Sequence, residues 1–158
     1  MIDNEFKATI FDLVRRRLLR QQESLQLFCK HWSGTSGGIE AWLKVEFVAA
    51  IPPEVARIST GKRKDGICPD LLLLPPHGVE IPVELKALTD RFWYQSTNKC
   101  ATYRNHLFAS LSVSDANIQL KHQEQLTVMD KSAQLAKITD FVTPKGTRAY
   151  YFVLADLC

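Results

Sequence analysis

Apolar residues recur at helical intervals near the start of the chain: Phe6, Ile10, Leu13, Val14, Leu18, then Leu25 and Phe28. That spacing predicts an amphipathic helix over residues 3–32, with Asp3 or Asn4 available to cap its first turn. The Ser- and Gly-rich stretch 33–38 predicts a connecting loop. A shorter helix is expected over 39–51, stopped by Pro52-Pro53, with Ile39, Trp42, Leu43, Glu46 and Ala50 on one face. The period then changes. Residues 55–60 read as a strand, 61–66 as a turn, and Asp70 to Leu74 as an apolar arm. Pro75-Pro76-His77-Gly78 forms a second turn. After it Val79, Ile81, Val83, Leu85 and Ala87 alternate with Glu80, Pro82, Glu84 and Lys86, the period of two that marks a strand. Farther on, Cys100, Tyr103, Leu107, Phe108 and Leu111 predict a helix. A second is expected over 119–141, with Leu126, Met129, Ala133 and Ala136 inward. A turn at 143–146 leads to a final strand over 148–157, rich in aromatic and β-branched residues. The pattern as a whole predicts an α/β fold, a central mixed β-sheet flanked by helices.

The two arms from Asp70 to Leu88 predict a hairpin. If they fold about His77, Asp70 lies opposite Glu84, with Cβ atoms on one face roughly 5 Å apart. Glu84 and Lys86 also share a face. Two carboxylates this close repel, and one keeps its proton unless they share a cation; a divalent metal meets that need. Pro82 cannot donate to a sheet ladder, so an edge or a bulge is expected there. Glu46 interrupts the apolar face of its helix and must be paired, hydrated or bound to a cation. Lys62, Arg63 and Lys64 form a basic turn leading into the Asp70 arm, suited to nucleic-acid phosphates. The Arg15-Arg16-Arg17 run with Arg20 is either a solvated helix face or a further phosphate contact. Phe92, Trp93 and Tyr94 suit a core or a base-stacking surface.

Pro69-Asp70 followed by Glu84-Leu85-Lys86 resembles the PD-(D/E)xK signature of the restriction-endonuclease-like nucleases. The resemblance implies that Asp70, Glu84 and the carbonyl of Leu85 hold Mg²⁺, with Mn²⁺ as a substitute, and that Lys86 positions or activates the attacking water. It also implies a helical glutamate ahead of the hairpin, assigned to Glu46 with Glu40 as the alternative. The implied activity is metal-dependent phosphodiester hydrolysis on nucleic acid, chiefly DNA, carried by a restriction-endonuclease-like core. The competing expectation is a non-catalytic nuclease-like module that binds nucleic acid or a protein.

With 158 residues, the chain is expected to form a single nuclease-like domain, 1–158, with a core that needs no staples. Little length remains for a dedicated sequence-reading domain, so a homodimer or a targeting partner protein is expected. A net charge of +3 permits a polyanionic partner without requiring one. Cys29, Cys68, Cys100 and Cys158 show no Cys-x-x-Cys spacing, which argues against a zinc ribbon. Neither a signal sequence nor an apolar run of about 20 residues is evident, so no membrane association and a cytoplasmic location are expected. None of His31, His77, His106 and His122 has metal-ligand spacing to another.

Overall fold

Three helices and six strands follow one another in a computed structural model that describes residues 2–31, 36–60, 68–88, 106–114, 134–143 and 146–157. Helix α1 (Asn4–Arg20) is capped by Asp3, whose side chain accepts the Phe6 N–H at 2.8 Å. It buries Ile10, Phe11, Val14 and Leu18, a stripe at helical spacing. The expected single helix over 3–32 is two helices: the chain breaks at Gln21 and resumes as α2 (Gln22–His31). Helix α3 (Ser36–Ala50) begins three residues earlier than its apolar pattern suggested and ends at Pro52-Pro53 as expected.

The strands are β1 (Arg57–Thr60), β2 (Leu71–Leu74), β3 (Ile81–Leu88), β4 (His106–Ser114), β5 (Gln134–Thr143) and β6 (Gly146–Leu157). They form one sheet in the order β1-β2-β3-β4-β6-β5. The β3–β4 pair is parallel and the other neighbours are antiparallel. The sheet is therefore mixed and, with its helices, α/β, as the pattern predicted. Helix α1 packs on β5 and β6, and α3 on β3 and β4. Their apolar stripes meet Val83, Leu85, Leu107, Ala109, Phe152 and Leu154 in the main core. On the other face Phe108, Ser110, Tyr151, Val153 and Ala155 are buried too. Among the described residues no helix is long and apolar enough to cross a membrane.

Two expected helices are corrected where the structure describes them. Residues 106–111 belong to β4, a strand between two others and buried on both faces. Such a strand loses clean alternation, and Leu107, Phe108 and Leu111 then mimic a helical stripe. Residues 134–141 belong to β5, which bulges between Lys137 and Thr139. The extra residue sets Ala136, Ile138 and Phe141 against the core, a step of two and then of three that breaks the alternation of a strand; Leu126, Met129 and Ala133 of the expected stripe lie outside the described residues. The rest of both expected helices, the basic turn Lys62–Arg63–Lys64 and the 90–95 aromatic cluster lie outside the described residues.

Candidate functional site

The hairpin turns where the alternation placed it. Leu71 faces Val83, Leu72 faces Pro82 and Leu73 faces Ile81, a register centred on His77, which sets Asp70 opposite Glu84. No bulge forms at Pro82. The Leu85 N–H points to the β2 side, where it donates to Asp70 Oδ2 at 2.8 Å. Backbone N–H directions alternate along a strand, so the N–H that Pro82 lacks would have pointed toward β4. The β3–β4 ladder begins only at Val83, which makes the proline harmless.

Strand β3 outruns β2, which starts at Leu71. The Leu85 and Ala87 N–H groups on that side therefore have no strand to bond. Two carboxylates take them: Asp70 at Leu85, and Glu40, from the first turns of α3, at Ala87 with a distance of 3.3 Å. On the sheet face beside them Glu84 and Lys86 form an ion pair of 2.8 Å. Glu84 is only 6% exposed, whereas about a third of the Lys86 side chain reaches solvent.

The electrostatics of the cluster are unbalanced. Burial pushes the Glu84 carboxyl above the usual carboxylate range; the hydrogen bond and charge of Lys86 oppose that, and Asp70 and Glu40 add to it. Burial acts to lower Lys86, but Glu84 first, then Glu40 and Asp70, outweigh it and hold the ammonium above its ordinary value. Three carboxylates face one fixed cation, a net charge of two negative when all are ionised. Carboxylate oxygens are the hard donors that Mg²⁺ or Mn²⁺ prefers, so the donor type fits the implied metal. The arrangement is nonetheless a closed one. Lys86 occupies the place beside Glu84, an oxygen of Asp70 and of Glu40 is engaged by the backbone, and among the described residues no three acidic, histidine or cysteine side chains are set to hold a metal ion.

Glu46, the helical glutamate expected at the site, makes its bond elsewhere. It is buried and bonded to the Arg17 Nε of α1. The two helical glutamates are six positions apart, so they project about a third of a turn from each other around the helix axis. Glu40 is the one that reaches β3. The partner of Glu46 was hidden in the Arg15-Arg16-Arg17 run. Arg15 and Arg16 both pair with Asp12, and the hydrogen bond from Arg15, ahead of the Arg16 charge, holds the Asp12 carboxyl below its usual range despite an opposing desolvation. Three of the cations considered for phosphate binding are thus engaged within the fold. The edge role of Glu40 had a sequence signal, since the arm read over 79–88 is longer than the one over 70–74 and leaves backbone donors to be met. No protein-family model, no curated protein and no solved structure matches this chain.

Proposed function

We propose that the chain is a metal-dependent nuclease of the PD-(D/E)xK kind, acting on DNA, with the β1-β2-β3 meander and the parallel β4 behind α3 as its restriction-endonuclease-like core. One observation supports the reading: Asp70, just ahead of β2, accepts the Leu85 N–H of β3 beside the Glu84–Lys86 ion pair, so the three side chains gather at one end of the hairpin. Asp70, Glu84 and the Leu85 carbonyl would hold Mg²⁺ or Mn²⁺. Glu40, rather than Glu46, would support them from the helix. When bound, the metal neutralises charge on the phosphate and acidifies water. Lys86, held as an ammonium by its acidic neighbours, would orient the attacking water near the scissile phosphate. Cleavage would be guided by nucleic-acid structure, by dimerisation or by a partner protein, in the cytoplasm.

A second reading has its own support. Asp70 and Glu40 satisfy the free edge of β3, a structural duty that a non-catalytic nucleic-acid- or protein-binding module would also need. A plasmid-nicking assay separates the two. Cutting by the wild type with Mg²⁺, absent in EDTA and in Glu84→Ala, is the expected result. Nicking that survives EDTA or the substitution would sink the metal-nuclease reading, and binding without nicking would favour the module.

A further inference from the structure

A concave surface lies at the other end of the meander from the acidic cluster. A cavity of about 330 Å³ is lined by Pro53, Arg57, Leu74, Pro75 and Pro76. Arg57 opens the sheet's outer strand and is exposed. Leu74, its neighbour across the ladder, is 41% exposed. Opposite residues share a face and alternate ones return to it. Arg57 faces Leu74, and Leu72 faces Pro82, so Arg57 stands on the same face of the sheet as Glu84 and Lys86. Exposed Ser59 lies on that face between them. Two interstrand steps and four residues of strand separate Arg57 from Glu84, a span of about 16 Å between Cα atoms. That is the rise of about five stacked nucleotides at ~3.4 Å each.

We infer that the cavity around Arg57 is a second contact point for the strand of nucleic acid handled at Glu84 and Lys86, an inference that rests on the proposed nuclease reading. The guanidinium takes a backbone phosphate, for which its planar fork is suited. The prolines and Leu74 give the adjoining nucleoside a rigid apolar wall. The volume is at the small end of ligand pockets, enough for one nucleoside and too little for a docked helix. A protein partner with an acidic segment also satisfies the charge, but it gives no reason for Arg57 to share a face with the acidic cluster.

The test uses the intact chain in EDTA and a fluorescent single-stranded DNA of about twelve nucleotides, long enough to span both points, beside one of about three that cannot. Arg57→Ala is expected to weaken the longer probe about tenfold and to reduce the slope of log affinity against log salt by about 0.7, one phosphate contact. Arg57→Lys restores part of the affinity, and the short probe does not distinguish the variants. No binding by the wild type, equal loss on both probes, or no loss on either overturns the subsite. Displacement of the DNA by an acidic peptide of matching charge overturns it in favour of a protein partner. Cleavage with Mg²⁺, measured in parallel, keeps the two readings apart. Arg57-dependent binding by a chain that never cuts leaves the subsite standing without the nuclease. Cutting that is indifferent to Arg57 in both rate and KM removes the subsite alone.

Discussion

Two glutamates on this chain are buried to nearly the same degree, and each is bonded to one cation. Glu46 meets Arg17 between α1 and α3, and Glu84 meets Lys86 on β3. Burial and pairing therefore do not separate an acid that ties two helices together from the one we propose to bind a metal. Their surroundings do. Glu46 and Arg17 join two helices as a balanced pair, whereas Glu84 and Lys86 share their space with Asp70 and Glu40, whose charges add to the push of burial on Glu84 toward its neutral form. A balanced pair has no use for another cation. An acid-rich one is where we propose that a cation binds, and on that reading the largest experimental differences between the two sites should appear wherever Mg²⁺ or Lys86 is required.

The sharpest break between them is Glu84→Gln against Glu46→Gln. Both amides keep the shape of the parent side chain and remove a charge. Glu84→Gln is expected to lower Mg²⁺-dependent nicking by about a thousandfold, within the range for losing a preorganised charged group at a reacting centre, while leaving the unfolding midpoint in urea nearly where it was. Glu46→Gln should do the reverse, keeping most of the nicking rate and losing stability. Equal nicking losses in the two variants would erase the contrast and return Glu46 to the site.

Next in size is the stability of the helix pair itself. Arg17→Ala strands a buried carboxylate. The expected cost is about 2–3 kcal/mol, under the 3–5 of a fully buried pair because Arg17 reaches solvent. For a chain of this length that is roughly 4–12 °C in midpoint temperature. Replacing both partners, Arg17→Met with Glu46→Leu, should recover most of the loss, since apolar packing substitutes for a buried pair without leaving a charge unmet. Calorimetry decides it. A double variant no better than the single one would mean that the pair contributes more than charge balance.

The hairpin was legible because its information is local. Alternation set the strand, the proline-rich turn set its centre at His77, and a period of two then fixed which side chains share a face. The register carried Asp70 to Glu84 with no help from the rest of the fold. What the sequence hid was set by distant contacts. Glu46 in an apolar stripe looked like a site residue because its answer, Arg17, lies on another helix. The β5 bulge and the doubly buried β4 erased the alternation that would have marked them as strands. Pro82 misled in the opposite sense, since its harmlessness depends on where the β4 ladder begins.

The smallest expected effect is the pH dependence of stability, and it bears directly on why the two glutamates differ. Because the folded state raises the Glu84 carboxyl above 4.5, the native chain binds that proton more tightly than the unfolded one. Stability from this group is then fully present below about pH 4.5 and falls as pH rises from there through the folded value. Lys86 has the same sign at the other extreme: its contribution is intact below 10.5 and is lost as pH climbs through its raised folded value. Urea titrations across the acidic window should show the decline in the wild type and in Glu46→Gln but not in Glu84→Gln. Mg²⁺ should offset it in the wild type, stabilising the chain near neutral pH by mass action and having little effect once Glu84 is protonated. A wild type whose stability in the acidic window ignores Mg²⁺ would mean that Lys86 alone satisfies the cluster, and the acid-rich site would then be no more receptive to a cation than the balanced one.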